Sequence, residues 1–305
     1  MIGCHFTGTR GMKREEILDL LTLAKNLKKD YMAGINLAKT LNGKKIVNLF
    51  FEDSTRTRLS FELAQKLLGA TVANISAERS SVNKGESLYD TLKNIEAMGV
   101  DCAVVRYPLS GALAQICNRF RMALVNAGDG MNEHPTQALL DMLTIQDAFG
   151  VIEDKEVLVI GDILHSRVAR SNFWALKTLG ARVSVSGPRV WIPRGIEQWG
   201  IDYTENIDLA VEKADVIIAL RTQKERQESS DYPTIESYNS NYGINSKRLQ
   251  KSPSSTILLH PGPVNRGVEI TSEVMDGNRS MIHPQVLNGV AVRMAVLKKC
   301  LGGLL

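Results

Sequence analysis

The sequence lacks the marks of disulfide-rich, zinc-binding and membrane proteins. Its four cysteines, Cys4, Cys102, Cys117 and Cys300, are far apart and form no C-x-x-C pair. We therefore expect neither a disulfide framework nor a zinc site, and we predict reduced thiols that serve in packing. No segment approaches the roughly 18 continuous apolar residues of a membrane span, and residues 1–16 lack the apolar stretch of a signal peptide. A cytoplasmic protein without a membrane partner is expected.

Strong charge and nucleotide-binding motifs are also missing. The 37 Lys and Arg residues exceed the 33 Asp and Glu residues by only four, which is too small an excess to predict a nucleic-acid partner. The chain has no G-x-x-x-x-G-K-[ST] loop, and no G-x-G-x-x-G follows its first strand, so no nucleotide is implied. The histidines are dispersed and no carboxylate cluster joins them, so we expect neither a metal nor another cofactor.

The chain does have the composition and the length of a two-domain globular protein, with 305 residues, 44% hydrophobic and 23% charged. Short apolar strands such as "KKIVNLF" and "DCAVVRY" alternate with amphipathic helices, and this alternation restarts after a long helix at 136–149. It is typical of an α/β protein with parallel sheets. We predict two doubly wound parallel-sheet lobes with a cleft between them.

The predicted domains follow from that restart. The first comprises residues 1–140, and the second comprises residues 141–284. The last apolar helix, at 285–305, comes after the second sheet in the chain. We expect it to pack back on the first lobe and so to belong to the first domain.

One strand-to-helix turn has an unusual density of polar groups. In "FFEDSTRTRLSFELAQKLLG", residues 50–69, three hydroxyls and two arginines occupy the five positions where the helix begins. Backbone N–H groups at a helix start favour an anion, and the side chains of Ser54, Thr55, Arg56 and Thr57 would surround a phosphate. The alternative is an ordinary capped helix with solvated arginines, but capping needs only one hydroxyl.

Three further features of the first lobe have polar side chains where a ligand could bind. The loop at 76–87 contains Ser80 and Lys84, Arg106 directly follows the apolar "CAVV", and His134 and Gln137 lie three residues apart at a helix start. Each has an ordinary structural alternative: a solvated loop, a salt bridge at the rim and a structural histidine. Together with the phosphate-binding turn, the imidazole and the amide favour polarisation of a carbonyl group.

The second lobe contributes two arginines and a proline-rich loop. Arg167 follows the strand in "VIGD", while Arg221 and Gln223 follow the strand in "VIIAL". Separate arginines directed at one cleft suit a substrate with two carboxylates, although each alone could be a surface residue. The loop at 260–263, "HPGP", has few N–H donors, so its carbonyls could accept hydrogen bonds from an amino group.

The motifs "STRTR", "HPTQ", "VIGD" with a following "SR", and "HPGP" occur in the order in which they occur in the carbamoyltransferases. The sequence resembles the aspartate/ornithine carbamoyltransferase family over nearly its whole length. "SVNKGES", "RTQKER" and "HPGP" resemble the aspartate branch. The ornithine branch would have "HCLP" in place of "HPGP", and a "DxxxSMG" loop that does not occur here.

The resemblance implies a role for each candidate residue at carbamoyl phosphate. Its phosphate would be bound by Ser54, Thr55, Arg56, Thr57 and Arg106. Its carbonyl would be polarised by Thr55, Arg106 and His134. Its amide would be held by Gln137 and the loop of Pro261, Gly262 and Pro263.

The resemblance also implies an acceptor site and an assembly. The two carboxylates of aspartate would be gripped by Arg167, Arg221 and Gln223. Ser80 and Lys84 would enter the site from the neighbouring subunit of a homotrimer, where Lys84 would also contact aspartate. Glu52 would brace Arg167 as the lobes close.

The implied activity is the transfer of a carbamoyl group to L-aspartate, the committed step of pyrimidine synthesis. The amine would attack the carbonyl carbon directly, with no covalent intermediate. Two alternatives remain open from sequence: a carbamoyltransferase for another amino acid, and a catalytically silent relative that acts as an interaction partner. The association of regulatory chains or of a dihydroorotase is also left open.

Overall fold

The computed structural model describes residues 4–76, 86–222 and 234–302. Its contacts divide the chain into two compact units. The first unit comprises Met1–Leu143 and Leu287–Leu305, and the second comprises Thr144–Val286. Each unit has its own five-stranded sheet, in which all paired strands are parallel. The predicted α/β class is therefore confirmed.

The first unit alternates strands and helices along the chain. Its strands are β1 (His5–Phe6), β2 (Lys45–Phe50), β3 (Thr71–Ser76), β4 (Cys102–Tyr107) and β5 (Ala123–Asp129). Its helices are α1 (Arg14–Met32), α2 (Thr55–Leu67), α3 (Leu88–Ala97), α4 (Ala112–Ile116) and the first part of α5 (Pro135–Phe149). The strand order is β1-β5-β4-β2-β3, so β2, β4 and β5 are neighbours in the interior of the sheet.

The interior strands read as continuous apolar runs because both of their faces are covered. In β4, Cys102 to Val105 are almost completely buried. On α3, Leu88, Leu92 and Ile95 recur at helical spacing and join the same apolar cluster as the strand residues. The edge strand β1 has only two residues, which is too short for a periodic pattern, and the sequence did not predict it.

The second unit repeats the alternation. Its strands are β6 (Glu156–Ile160), β7 (Arg182–Ser186), β8 (Asp202–Tyr203), β9 (Val216–Ala219) and β10 (Ile257–Leu259), in the order β10-β9-β6-β7-β8. Its helices are α6 (Arg167–Thr178), α7 (Ile207–Lys213), α8 (Ile235–Tyr242), α9 (Ser246–Leu249) and α10 (Ser272–Met275). The chain ends in α11 (Ile282–Leu301), whose residues from Leu287 onward belong to the first unit.

The cysteines follow the predicted packing role only in part. All four are free, and Cys102 and Cys117 are buried as expected. The prediction is wrong for Cys4, which is exposed because it precedes the short edge strand β1. A hydrogen bond with the Cys300 thiol, helped by the charge of Lys299, lowers the pKa of Cys4 to about 6.

In the described parts of the chain, no helix combines the length and the apolar character that crossing a bilayer requires.

Candidate functional site

In the first unit, the candidate residues follow three neighbouring strands. Phe50 of β2 is paired with Arg106 of β4, and Tyr107 of β4 is paired with Asp129 of β5. Because the strands are parallel, the turns that follow them lie along one edge of the sheet. This edge brings the start of α2 and Arg106 together, and it also bears the turn that leads to His134.

The start of α2 is not capped by its own serine. Ser54 occupies the position before the first helical residue, with extended backbone angles, but its side chain makes no capping hydrogen bond. Its hydroxyl instead accepts a hydrogen bond from Nη1 of Arg106, at 3.2 Å. Thr55 and Arg56 are exposed in the first turn, whereas Thr57 is buried. The alternative of an ordinary capped helix predicts a side-chain cap, which Ser54 does not form.

Arg106 is held by a second partner, Glu52. The Nε atom of Arg106 lies 3.2 Å from Oε2 of Glu52, and their side chains are only 12% and 21% exposed. This charge-assisted hydrogen bond orients the guanidinium, whose Nη1 then reaches Ser54. From sequence, Glu52 is expected to brace Arg167, and its bond to Arg106 is not predicted. The signal for it is an acidic residue two positions after β2, close in the chain to the two arginines of α2.

His134 and Gln137 lie at the start of α5 and are both buried. The Gln137 side chain donates a hydrogen bond from Nε2 to Oδ1 of Asp141, one turn later, at 3.0 Å. This bond directs the amide nitrogen to Asp141, so the amide oxygen is the atom that can accept a hydrogen bond from the NH₂ group of a ligand. Asp141 was not among the predicted residues, because a buried carboxylate inside an apolar helix has no local sequence signature.

The turn before His134 is fixed by two buried carboxylates. Asp129 accepts hydrogen bonds from the Asn126 amide at 2.9 Å and from the Glu133 backbone at 3.0 Å. Glu133 in turn accepts from the backbone and the hydroxyl of Thr9, at 2.7 and 2.8 Å. Gly130 has a φ of 47°, and a Cβ atom there would meet the backbone after β4 at 2.7 Å. The turn therefore has one tightly defined conformation.

In the second unit, the candidate residues again follow three neighbouring strands. Ile160 of β6 is paired with Ala219 of β9, and Ile218 of β9 with Leu259 of β10. Arg167, Arg221 and the loop at 260–263 come after these strands in the same order. The parallel sheet thus gathers at one edge three segments that are far apart in sequence.

Arg167 is the first residue of α6, and it is buried. The helix is capped by Ser166, whose hydroxyl accepts a hydrogen bond from the backbone of Ala169 at 3.1 Å. In the preceding turn, the carboxylate of Asp162 accepts a hydrogen bond from the backbone N–H of His165 at 3.1 Å. The same carboxylate lies 3.0 Å from Nδ1 of the His165 ring. These local bonds fix the position from which the guanidinium of Arg167 extends.

Glu269 connects the two other segments of this edge. Its buried carboxylate accepts hydrogen bonds from the backbone of Thr222 at 2.7 Å, from the backbone of Asn265 at 2.8 Å and from the Asn265 amide at 2.7 Å. Thr222 follows Arg221 directly, so Glu269 holds the end of β9 against the loop after β10. Burial raises the pKa of the Tyr238 hydroxyl, and the charges of Glu269 and Asp162 raise it further.

The loop after β10 is held by a buried imidazole. His260 donates its backbone N–H to the Gln285 side chain at 3.0 Å, and its Nδ1 accepts a hydrogen bond from the backbone of Gly262 at 2.8 Å. Pro261 and Gly262 are half-buried, and Pro263 is exposed. Neither His260 nor Glu269 was predicted as part of the site, because their roles come from contacts with other segments of the chain.

We expect Glu269→Gln to destabilise the protein, because an amide NH₂ would replace one carboxylate oxygen that faces N–H donors. Hydrogen bonds to a charged group contribute about 1.5–3 kcal/mol each, so the free energy of unfolding should fall by about 2–4 kcal/mol. Urea denaturation measures this change. Glu273→Gln, on the exposed start of α10, is the matched control and should have almost no effect. Equal stability of the two variants would contradict the role of Glu269.

Three predicted residues, Ser80, Lys84 and Gln223, lie outside the described residues. Within residues 4–76, 86–222 and 234–302, no three His, Cys, Asp or Glu side chains are grouped so that they could hold a metal ion.

Comparison with known families covers both units. Residues 4–147 match the family model described as the aspartate/ornithine carbamoyltransferase carbamoyl-P binding domain. Residues 153–300 match the corresponding Asp/Orn binding domain. Together the two matches span most of the chain.

Relatives of known name are similar over nearly their full length. The aspartate carbamoyltransferase catalytic subunit of Ruminiclostridium cellulolyticum is 51% identical over 290 residues, which cover 95% of this chain and 93% of the relative. That of Caldanaerobacter subterraneus subsp. tengcongensis is 49% identical over 298 residues, which cover 98% of both chains.

Solved structures have the same fold. Aspartate transcarbamoylase from Trypanosoma cruzi, in complex with carbamoyl phosphate and aspartate, superposes with a TM-score of 0.89 at 32% identity, covering 98% of this chain and 97% of that one. Ornithine carbamoyltransferase from Pyrococcus furiosus superposes with a TM-score of 0.88 at 26% identity, covering 100% and 99%.

The fold and the residues at the strand ends define a two-unit α/β enzyme whose first unit has a helix start suited to an anion. The chain belongs to the aspartate/ornithine carbamoyltransferase family.

Proposed function

We propose that this protein is an aspartate carbamoyltransferase, which converts carbamoyl phosphate and L-aspartate to N-carbamoyl-L-aspartate and phosphate. The observation that carries the proposal is the pair of arginines, Arg167 and Arg221, that follow neighbouring strands of the second unit. An acceptor with two carboxylates needs two such cations. Relatives that are about half identical over nearly the whole chain have the same name.

The first unit supplies the phosphate site in this proposal. Arg56, Thr55 and Thr57 of the first turn of α2 bind the phosphate together with Ser54 and Arg106. The absence of a serine cap at this helix start supports this role, because Ser54 does not occupy the backbone N–H groups that an anion would use. The bond between Ser54 and Arg106 also supports it, because it places a guanidinium at the same helix start. Residues 1–140 with 285–305 then form the carbamoyl-phosphate domain, and residues 141–284 form the aspartate domain.

The reaction needs no covalent intermediate. The amine of aspartate attacks the carbonyl carbon, a C–N bond forms, the C–O bond to phosphate breaks, and the proton of the amine passes to the departing phosphate. Thr55, Arg106 and His134 stabilise the oxyanion, and each such donor contributes about 3 kcal/mol to the transition state. Gln137 and the loop of Pro261, Gly262 and Pro263 hold the carbamoyl NH₂ group. The amide nitrogen of Gln137 donates to Asp141, so its amide oxygen is directed to the ligand, which supports this role.

The acceptor distinguishes this proposal from its nearest alternative. The overall fold does not decide between acceptors, because the ornithine enzyme of Pyrococcus furiosus superposes as well as the aspartate enzyme does. The candidate residues of the second unit support aspartate as the acceptor, since the side chains of Arg167, Arg221 and Gln223 are suited to carboxylates. Lys84 adds a further positive charge from the neighbouring subunit.

Product analysis tests the proposal directly. The purified protein is supplied with carbamoyl phosphate and either aspartate or ornithine, and carbamoylaspartate and citrulline are measured. We expect carbamoylaspartate alone. Citrulline formation would establish another acceptor, and no product from either would favour a silent relative. The intact set of Arg56, Lys84, Arg106, His134 and Arg221 argues against such a relative.

We expect Arg221→Ala to raise the KM for aspartate by about 10- to 100-fold, because one charge-assisted contact to a carboxylate is lost. The KM for carbamoyl phosphate should change little, since that substrate binds mainly to the first unit. Steady-state kinetics with each substrate varied in turn measures both values. Arg194→Ala, an exposed arginine of the same unit, is the control and should leave both values unchanged. Equal rises in the two KM values would contradict the assignment.

A homotrimer with shared active sites belongs to the same proposal. Leu59 and Leu63 lie four residues apart on α2 and are 62% and 39% exposed, and Ile75 of the edge strand β3 is 36% exposed. Exposed apolar side chains of this kind suit contact with a second copy of the chain. They support an interface between subunits. Light scattering of the purified protein measures the number of subunits in the assembly. A cytoplasmic location stays a separate prediction.

A further inference from the structure

Arg293 is a buried cation in the first unit, in the middle of α11. The residue is only 4% exposed, and its guanidinium carbon lies 5.0 Å from the centre of the Phe61 ring of α2. Among the residues that the structure describes, its Nε has no hydrogen-bond partner and no carboxylate forms an ion pair with it. A buried charge without a counter-ion costs stability, so its presence needs a reason other than folding.

The helix itself is built around this guanidinium. Gly289 lies one turn before Arg293, and a Cβ atom at Gly289 would meet Nη1 of Arg293 at 2.6 Å. Glycine inside a helix is destabilising relative to alanine. Here its missing side chain provides the space that the guanidinium occupies, so two residues of α11 carry a stability cost for one buried charge.

Phe61 belongs to α2, so the buried guanidinium packs against the helix whose start carries the candidate anion site. Burial lowers the pKa of Arg293 to about 9, and the positive charge of Arg106 acts in the same direction. At that pKa Arg293 is protonated at neutral pH, and the positive charge of Arg106 repels it. Arg106 has Glu52 as a counter-ion, while Arg293 has none in the described chain. An anion bound by Arg106 would relieve this repulsion, and burial keeps the interaction from being screened by salt.

We propose that Arg293 is a positioning residue of the anion site: an internal, uncompensated cation that strengthens phosphate binding at Arg106 and the start of α2 without contacting the ligand. The inference rests on the proposed function for the identity of the anion. The alternative is a packing role, in which the guanidinium only stacks on Phe61. The two roles predict opposite effects on stability, since removal of an uncompensated buried charge stabilises a protein and removal of a packing contact destabilises it.

The test replaces Arg293 by Met in the full-length assembled protein, because methionine fills the space without the charge. We expect its affinity for inorganic phosphate, measured by calorimetry, to fall about tenfold or more, while the melting temperature rises. The KM for carbamoyl phosphate should increase and the KM for aspartate should not. Phe61→Leu, which removes the ring and keeps the charge, is the control and should bind phosphate like the wild type.

Arg293→Lys gives an independent readout, because a buried lysine has a lowered pKa and loses its charge as pH rises. Among the described residues, Arg106 is the charged group whose field acts on this position, and it lowers that pKa further. Relative to the wild type at each pH, the Lys variant should bind phosphate normally at low pH and progressively more weakly as pH rises through the pKa.

Two results would overturn the inference. One is wild-type phosphate affinity in Arg293→Met, and the other is a lower melting temperature for that variant, which would indicate a packing role. The phosphate measurements do not depend on turnover. A protein that shows the expected phosphate responses but forms no carbamoylaspartate would refute the proposed function and leave this inference intact.

Discussion

Replacement of Arg56 by Ala should lower the turnover of carbamoyl phosphate by about a thousandfold, the effect of removing one preorganised donor from developing negative charge. Arg56 lies in the first turn of α2, next to Ser54, which is hydrogen-bonded to Arg106. In the proposed function, Arg56 and Arg106 bind the same phosphate. As phosphate leaves, it takes the negative charge with it, so a fixed guanidinium stabilises the transition state more than the ground state. Formation of carbamoylaspartate in a steady-state assay measures the loss.

The matched control is Arg58→Ala, two residues further along α2. Both arginines are exposed, and neither substitution should change the melting temperature by more than a degree or two. Arg58 lies near Glu62 on the outside of the helix, so its replacement should leave turnover within about twofold of the wild type. Near-normal turnover of Arg56→Ala at an unchanged melting temperature would refute the phosphate assignment.

Two inactive variants should recover about a quarter of the wild-type activity when they are mixed, if the site is shared between subunits of a trimer. One variant is Arg56→Ala and the other is Lys84→Ala. Each site of a cyclic trimer takes Arg56 from one chain and Lys84 from the next. Every mixed trimer then has one junction at which both residues are intact and one at which both are missing. Random assembly of an equal mixture makes about three quarters of the trimers mixed, and one third of their sites are active.

The experiment denatures the two variants, mixes them, refolds them and measures carbamoylaspartate formation, with each variant refolded alone as a control. A site built by a single chain would lack one residue whatever the mixing, so no activity would return. Sizing of the refolded protein establishes that trimers have formed. Trimers without recovered activity would show that Lys84 does not act on a neighbouring subunit.

The sequence alone predicted the longer strands of both sheets, but not the two-residue strands β1 and β8, and it predicted the local features of the site. Strands such as β2 and β4 are covered on both faces and read as apolar runs, and helices such as α3 show the 3.6-residue period, so each can be recognised from its own residues. The start of α2 was recognised in the same way, because Ser54, Thr55, Arg56 and Thr57 are adjacent in the chain.

Only the tertiary structure determined which residues that are distant in sequence form hydrogen bonds and ion pairs with each other. Arg106 is held by Glu52 across two strands, and Glu269 joins Thr222 to Asn265 over more than 40 residues. Such bonds depend on the order of strands in a sheet, and the pattern of apolar and polar residues along the chain does not indicate that order. The same reason explains the exposed Cys4, since the pattern gave no sign of a two-residue edge strand.

Arg293 shows the difference most clearly. In the sequence it is one basic residue in an apolar C-terminal helix, and nothing around it indicates a function. Its meaning depends on three distant features: the ring of Phe61, the charge of Arg106 and the lack, among the described residues, of a carboxylate that pairs with it. Local physical chemistry therefore determined which segments form strands and helices, and which helix start is suited to an anion. Long-range packing determined which charges are paired, because burial and electrostatic interaction depend on distances in space rather than along the chain.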